Sequence, residues 1–430
     1  MTDSTTNCSA NAAQCPATQS SQKEDPSPIT ANWKYRDVSE GLDKHEESEC
    51  RLGVSPEGLK IIGARVRGKK HKHEGTNCDD WFELSESGRW TIIAVADGAG
   101  SRLFSRVGTK VACEAAVKRL AGLLGDCSVE KLNMWSMDTF RRDRKKGTFV
   151  ENDLEVIQKA LHQAMRTAYG AIRREVIARA QLMEYNQFLE RDLEVNDLST
   201  TLLLAVHTTI RHHDEGYSLV LTCQVGDGML AAVDHKGALQ LLGVPDNGDF
   251  SGETEFLTSQ GKLKRNNLSR KTSAFFSPLR ALMVMTDGVA DDYFPHDPGM
   301  LQLYGDLVLN QIVDLPKLDE DMIASGLKET KLPTLEDVAH VDFHVLGQRI
   351  TPNGIQMPRL HSVAAYAEAL GVPITEVVAS FPLLSAGARQ EPVFDVDRPE
   401  EKLQLWLDSY YVRGSFDDRT LVVLYRENLP

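Results

Sequence analysis

The chain contains the stretch TIIAVADGAGS at residues 91–101, in which an apolar run ends in an aspartate and a glycine. A short run of Ile, Val and Ala predicts a buried β-strand, so Asp97 lies where that strand leaves the core. The glycine beside it lets the backbone approach a ligand and leaves a carbonyl oxygen accessible. The stretch therefore predicts a ligand-binding strand end.

Similar steps occur three more times along the chain. An Asp-Gly step at Asp227 lies between two apolar runs, another at Asp287 follows a third run, and an Asp-Asp step at Asp417 precedes a fourth. A single Asp-Gly step is also a hairpin turn, and Asp227 is the one for which we favour a turn. Several carboxylates on one edge cannot all stay ionised unless cations lie between them, and oxygen ligands suit Mg²⁺ or Mn²⁺.

In this order, the segments resemble the metal-dependent protein phosphatases of type 2C, in a bacterial variant with an Asp-Gly-Ala-Gly-Ser motif. The resemblance covers residues 60–425 apart from two stretches. The segments that carry it are GKKH (68–71), CDDW (78–81), DG (97–98), LSTT (198–201), GDG (226–228), DGVAD (287–291) and DD (417–418). The resemblance implies an α+β fold, a central antiparallel β-sandwich flanked by helices on both sides, with an additional helical insertion.

The pattern of apolar residues agrees with that architecture. Helical spacing predicts one helix over 103–124, a second over 154–182 and a last one around 403–407. Strands that precede and follow a helical pair indicate two sheets covered by helices, with the metal site in the cleft between the sheets.

The resemblance also implies that most of the aspartates bind Mn²⁺ or Mg²⁺, with two ions per site and a third, weaker one. The implied ligands are Asp79 or Asp80, Asp97, the Gly98 carbonyl, Asp227, Asp287, Asp291 and Asp417. Asp97, Asp287 and Asp417 would be the catalytic residues, and Asp97 would bridge the two metals. A water between the metals would attack phosphorus in line.

Two positions depart from the family pattern. The histidine that protonates the leaving oxygen falls at Ala99, and the phosphate-binding arginine falls at Gly75. We expect His71, in the basic run 67–73, or Arg102 to bind the phosphate instead; a solvated loop is the alternative for the basic run. Loss of the general acid would reduce activity on alkyl phosphates such as phosphoserine by about 100-fold or more.

Composition limits the other function classes. The 430 residues include 48 Lys and Arg against 62 Asp and Glu, a net charge of −14, which disfavours nucleic acid as a partner. The seven cysteines are scattered, and the sequence shows neither a signal peptide nor a membrane span, so we expect a cytoplasmic protein. Residues 1–55 predict a disordered tail, and 56–430 the phosphatase domain with an insertion at about 300–397.

The expected function is a metal-dependent serine/threonine protein phosphatase that acts on a phosphorylated protein and counteracts a kinase. One alternative is a catalytically dead scaffold that binds a phosphoprotein, which Ala99 and Gly75 favour. Another is a DNA-linked regulator, because the segment 362–381 has the spacing of a helix-turn-helix. Its second helix offers no Arg, Lys, Asn or Gln to read base edges, so DNA binding is disfavoured.

Overall fold

The computed structural model has an α+β fold in which two antiparallel β-sheets pack face to face. It describes residues 34–38, 41–125, 127, 152–212, 215–246, 255–259, 261–313, 396–409 and 415–427, with a few positions between 349 and 375. The strands are β1 (Ser48–Val54), β2 (Lys60–Val66), β3 (Trp81–Ser87), β4 (Trp90–Ala96), β5 (Leu202–His212), β6 (Glu215–Val225), β7 (Met229–Asp234), β8 (Leu239–Leu241), β9 (Thr272–Ser277), β10 (Leu279–Met285), β11 (Arg349–Ile350), β12 (Gln356–Met357) and β13 (Arg419–Tyr425).

The strands form two main sheets, and each sheet contains strands from distant parts of the chain. The first sheet has the order β1-β2-β13-β10-β7-β8, and the second has the order β3-β4-β5-β6-β9. Every pairing in both sheets is antiparallel. The short strands β11 and β12 pair only with each other among the described residues. The predicted sandwich is therefore confirmed.

Helices cover the outer faces of both sheets. The described helices are α1 (Lys69–Glu74), α2 (Ser105–Leu124), α3 (Asn152–Ala180), α4 (Met183–Leu189), α5 (Arg265–Arg270), α6 (Asp287–Ala290), α7 (His296–Leu309) and α8 (Pro399–Asp408), with 3₁₀ turns at Val195–Leu198 and Asp291–Tyr293. Apolar residues of α2 and α3 pack on the second sheet, and those of α7 and α8 on the first. Helices α2 and α3 lie within two residues of their predicted bounds.

The strand period of two divides the buried side chains between an inner and two outer cores. Ile61 of β2 and Ile93 of β4 lie between the sheets, whereas their neighbours Ile62 and Ile92 face the helices. This alternation follows from the pleat, which turns successive side chains to opposite faces. The central strands β4, β10 and β13 are consequently buried on both faces, which explains their continuous apolar runs in the sequence.

The hairpin interpretation of Asp227 is wrong. Strand β6 before it belongs to the second sheet and β7 after it belongs to the first, so residues 226–228 cross from one sheet to the other. The crossing is tight at Gly226, where φ is +117° and an added Cβ would lie 2.4 Å from the Thr201 Cβ. Apolar runs on both sides of a short connection do not reveal whether the two strands share a sheet.

The predicted boundary of the N-terminal tail also needs correction. Strand β1 pairs with β2 along its whole length, and residues 34–38 lie against α1, where the Arg36 N–H donates to the Lys72 carbonyl at 2.8 Å. Composition misses β1 because it is an edge strand whose Leu52 and Val54 are 46% and 52% exposed. The earlier part of the predicted tail, residues 1–33, lies outside the described residues.

The predicted insertion is described only in part. Helix α7, at His296–Leu309, lies at the start of this segment. Most of the segment 362–381, on which the DNA-binding alternative rests, lies outside the described residues. None of the described helices combines the length and hydropathy that a bilayer-spanning segment requires.

Candidate metal centre

Three carboxylates meet at one end of the sandwich, in the cleft between the sheets. Asp97 follows β4 of the second sheet, Asp287 follows β10 of the first sheet, and Asp227 lies in the crossover that joins the two sheets. Their carboxylate oxygens all lie within 4.8 Å of one another. Residues that are up to 190 positions apart in the sequence thus form one cluster of oxygen donors.

The backbone of Asp97 is fixed by two threonines of the LSTT segment. The Asp97 N–H donates to the Thr201 Oγ1 at 2.8 Å, and the Asp97 carbonyl accepts the Thr201 N–H at 2.8 Å. The Thr200 hydroxyl donates to the same carbonyl at 3.0 Å. Because these bonds use only main-chain atoms of Asp97, its carboxylate remains available to the cluster.

The neighbouring residues Asp79 and Asp80 occupy different environments. Asp80 is fully buried, and its Oδ2 accepts hydrogen bonds from the Thr286 hydroxyl at 2.9 Å and the Thr420 hydroxyl at 2.7 Å. Asp79 instead contacts the backbone of Gly98, where an added Cβ would lie 2.9 Å from the Asp79 Cβ. The Oδ1 atoms of Asp79 and Asp80 are both buried and accept no hydrogen bond from the described residues.

Asp291 and Asp417 border this cluster. Asp291 begins the 3₁₀ turn after α6, and burial together with the Asp227 carboxylate raises its pKa. Asp417 lies two residues before β13, and burial and the adjacent Asp418 raise its pKa. The Asp417 charge in turn contributes to the raised pKa values of Asp97 and Asp287, so the predicted aspartates share one electrostatic environment.

The carboxylates destabilise one another's ionised forms. Burial and then neighbouring carboxylates raise the pKa of Asp97 and Asp287 well above the ordinary value. Burial and then Asp418 raise the pKa of Asp79 to about 7 and that of Asp80 to about 8. Buried carboxylate oxygens that repel each other, with the Oδ1 atoms of Asp79 and Asp80 lacking a hydrogen-bond donor among the described residues, fit a divalent cation with oxygen ligands.

The two predicted phosphate ligands lie in contrasting places. His71 lies on α1 and is only 4% exposed, and its Nδ1 is 2.9 Å from Asp418 Oδ2. The Arg102 side chain is exposed, and its backbone N–H donates to the Ala99 carbonyl at 2.8 Å. Among the described contacts, the Arg102 side chain makes no hydrogen bond or ion pair with the cluster. The burial of His71 argues against direct contact with a phosphate.

The two departures from the family pattern have local explanations in the fold. Gly75 ends α1 with φ of +76°, a conformation that favours glycine, and an added Cβ would lie 3.1 Å from the Asp37 carbonyl oxygen. An arginine at that position would therefore be strained. Ala99 is buried beside Asp97, and its N–H donates to the Ser199 carbonyl at 3.0 Å. Its methyl group cannot donate a proton.

The acidic residues just described lie largely within a segment that matches a known protein family. A family model described as protein phosphatase 2C matches residues 67–313, which is more than half of the 430-residue chain. The chain belongs to the protein phosphatase 2C family. As a member of that family it is a protein phosphatase, an enzyme. A comparison with curated protein sequences finds no match.

Solved structures similar to this protein phosphatase 2C include several phosphatases. The serine/threonine phosphatase Stp1 from Staphylococcus aureus is 10% identical, with 92% of this chain and 99% of that chain covered and a TM-score of 0.35. A serine/threonine phosphatase of S. agalactiae is 10% identical, covering 88% and 100%, with a TM-score of 0.35. The photosystem II phosphatase PBCP is 14% identical, covering 86% and 100%, also at 0.35. At these scores, family membership rests on the matched family model.

Two further aspartates of this phosphatase hold the site together, and sequence reasoning assigned them no role. Asp418 binds His71, and Asp292 accepts the Ser415 N–H at 2.7 Å and an Arg419 N–H at 2.5 Å. Both follow a predicted metal ligand directly in the sequence. The Asp-Asp steps were the available signal, but two adjacent aspartates do not reveal which one faces the cleft.

Proposed function

We propose that this protein phosphatase 2C hydrolyses phosphoserine and phosphothreonine in proteins and requires Mn²⁺ or Mg²⁺. The observation that carries the proposal is the cluster of Asp97, Asp227 and Asp287, whose carboxylate oxygens lie within 4.8 Å of one another. Oxygen donors at this separation suit a hard divalent cation and repel each other without one. The match of the family model over residues 67–313 supports the same function.

The proposed cation ligands come from both sheets. Asp97, Asp287 and Asp417 would hold one cation, with Asp97 shared with a second, and Asp227 and Asp291 would contribute to a third, weaker site. The raised pKa values of Asp97 and Asp287 support this assignment, because burial and neighbouring carboxylates cause both. When bound, two such cations supply Lewis-acid activation of a water molecule and neutralise charge on the phosphoryl oxygens.

Asp79, and not Asp80, is the ligand that we propose for the second cation, together with the Gly98 carbonyl. Asp79 lies directly against Gly98 and has a buried oxygen that accepts no hydrogen bond from the described residues. Asp80 Oδ1 is likewise buried without a hydrogen bond from the described residues, but Asp80 does not contact Gly98 in this way and its Oδ2 accepts the Thr286 and Thr420 hydroxyls. We therefore assign Asp80 to bracing the ends of β10 and β13 behind the cluster.

Gly75 and Ala99 stand where the family has its phosphate-binding arginine and its general acid, so other groups must contact the substrate. Arg102 is our proposed phosphate ligand, because it is exposed in the loop that follows Asp97. Ala99 cannot protonate the leaving oxygen, so we propose that esters with good leaving groups are hydrolysed fastest. Phosphoserine and phosphothreonine would then be turned over slowly, which suits a regulatory enzyme that reverses the action of a kinase.

We place the protein in the cytoplasm. Cys78, Cys113 and Cys223 are buried free thiols, and burial is the first cause of their raised pKa values. Buried thiols of this kind are ordinary core residues in a reducing compartment. The proposed partners are phosphorylated proteins and the kinase that modifies them.

Hydrolysis of p-nitrophenyl phosphate by the full chain tests the proposed function. We expect turnover that requires added Mn²⁺ or Mg²⁺, stops in excess EDTA and is lost in Asp97→Asn. Full activity in EDTA would contradict the metal requirement. Mn²⁺ binding without turnover of p-nitrophenyl phosphate or phosphopeptide would instead support a catalytically dead scaffold.

A further inference from the structure

Asp418 forms a buried node between segments that are distant in the sequence. It is 2% exposed, and its Oδ1 accepts the Gly68 N–H at 2.5 Å. Its Oδ2 accepts the Asp79 N–H at 2.5 Å and lies 2.9 Å from the His71 Nδ1. Ligand atoms of His71, Asp417 and Asp418 lie within 4.8 Å of one another, but both Asp418 oxygens already accept hydrogen bonds from protein donors.

The bonds of Asp418 connect the two sheets at the metal centre. Asp418 directly precedes β13 in the first sheet, whereas Asp79 lies just before β3 in the second sheet. The hydrogen bond from the Asp79 N–H therefore fixes one proposed cation ligand relative to another, Asp417, which is covalently next to Asp418. No other side chain of the described residues accepts that N–H.

Helix α1 contributes the third support of this node. At Gly68, just before α1, an added Cβ would lie 2.3 Å from the carbonyl carbon of Asp417, and the Lys70 N–H donates to the Phe416 carbonyl at 3.0 Å. The start of the helix is therefore packed directly on the Asp417 backbone. His71 follows Lys70 on the same helix, and its Nδ1 lies 2.9 Å from Asp418 Oδ2.

Charge at the node is balanced within the pair. Burial opposes protonation of His71, but the Asp418 carboxylate outweighs it and raises the pKa of His71 to about 10. The pKa of Asp418 is lowered although burial acts in the other direction, because His71 and the backbone N–H groups stabilise its ionised form. The contacts of this pair lie entirely between protein groups, with both Asp418 oxygens and the His71 Nδ1 engaged.

We propose that Asp418 and His71 are a positioning pair that sets the separation of Asp79 and Asp417, and that neither binds a cation or the phosphate. This inference rests on the proposed function, because it assigns Asp79 and Asp417 to the cations. It replaces phosphate binding as the role of His71. Residues that support metal ligands in this way typically contribute about 10- to 100-fold to metal affinity or activity.

The test compares Asp418→Asn, His71→Ala and the double variant in the full chain. Asp418→Asn keeps the size of the side chain but replaces one carboxylate oxygen by an amide NH₂ group. That group would face a protein N–H donor instead of accepting a hydrogen bond from it. We expect each single variant to weaken Mn²⁺ binding, measured from free Mn²⁺ by electron paramagnetic resonance, by about 10-fold or more. The double variant should bind no more weakly than the worse single variant, because both changes break the same pair.

Kinetics separate positioning from phosphate binding. At saturating Mn²⁺ we expect KM for p-nitrophenyl phosphate to stay near the wild-type value while kcat falls. His73→Ala is the matched control, since His73 lies on the same helix but its Nδ1 accepts the Lys34 N–H; it should leave Mn²⁺ affinity unchanged. His71→Gln, which keeps an N–H donor, should recover part of the affinity that His71→Ala loses.

Two results would overturn the inference while leaving the proposed function in place. One is wild-type Mn²⁺ affinity in both single variants, with only their melting temperatures lowered. The other is a raised KM in His71→Ala with unchanged Mn²⁺ affinity, which would return His71 to phosphate binding. If Asp418→Asn does not fold, the His71 variants decide. A wild-type chain that binds no Mn²⁺ would overturn the proposed function and this inference together.

Discussion

Gly98→Ala perturbs the closest contact of the metal centre. The added Cβ would lie 2.8 Å from the Asp79 carbonyl oxygen, 2.9 Å from the Asp79 Cβ and 2.9 Å from the Ser105 Cβ. Carbon atoms normally pack at about 3.5–4.0 Å, so Gly98 or Asp79 must shift by about 0.6–1 Å. Two of the three contacts are with the residue that we assign to the second cation.

The expected cost has two parts. Overpacking of this kind lowers the free energy of unfolding by about 1–3 kcal/mol. A displacement near 1 Å of reacting groups costs about 100-fold in rate, so turnover of p-nitrophenyl phosphate at saturating Mn²⁺ should fall by that order. Urea denaturation in EDTA measures the first effect without any contribution from bound metal.

Gly100→Ala is the matched control in the same loop. An added Cβ at Gly100 meets no atom within 4 Å. The substitution should leave turnover unchanged and raise the free energy of unfolding by about 0.4–1 kcal/mol, because alanine restricts the unfolded chain. Wild-type stability and turnover in Gly98→Ala, or an equal loss in Gly100→Ala, would refute the role assigned to this contact.

Three other predictions concern pH, the missing acid and the phosphate. Burial and neighbouring carboxylates raise the pKa of Asp79 to about 7 from an unfolded value of about 3.9, so its contribution to stability is complete below pH 4 and lost as pH rises through 7. The urea midpoint in EDTA should therefore fall over this range, and added Mn²⁺ should restore it; a flat midpoint would contradict the charge cluster. Ala99→His should increase the rate on phosphoserine peptide more than on p-nitrophenyl phosphate, whose leaving group needs little protonation; equal gains would mean that another group already donates the proton. Arg102→Ala should lower kcat/KM about 10-fold, equivalent to about 1.4 kcal/mol, mainly through KM, and an unchanged KM would exclude it as the phosphate ligand.

The fold was predictable wherever strands are buried on both faces. Apolar runs predicted the strands β4, β7, β10 and β13, and the helical spacing of apolar residues predicted α2 and α3. Edge strand β1 was not predictable, because its stability comes from pairing with β2 and not from apolar side chains. The crossover at Asp227 was misinterpreted because the sheet to which each strand belongs is decided by contacts far along the chain.

The candidate site was predictable in its acidic residues but not in their individual positions. Asp97, Asp227 and Asp287 meet in one cluster because each marks a strand end at the same end of the sandwich. Asp79 and Asp80 could not be separated, since a strand start does not show which of two neighbours faces the interior. A solvated loop was the alternative for the basic run 67–73, but from Lys69 onward the run forms α1.

Within the basic run, His71 and Lys72 are more buried than the local sequence indicates. A solvated loop would leave Lys72 in solvent, whereas it is 9% exposed and pairs with Asp408. His71 was expected to meet the phosphate, yet it is held by Asp418. Both depend on partners more than 300 positions away, which the local sequence cannot indicate.

The central claim is that the aspartate cluster holds divalent cations and that these are needed for hydrolysis. The most direct measurement is Mn²⁺ binding to the wild type and to Asp97→Asn, by electron paramagnetic resonance, with p-nitrophenyl phosphate turnover followed in the same samples. We predict that the wild type binds more than one Mn²⁺ and is active, and that Asp97→Asn binds fewer ions and is inactive. An Asp97→Asn chain that binds Mn²⁺ and hydrolyses the ester as the wild type does would contradict the account.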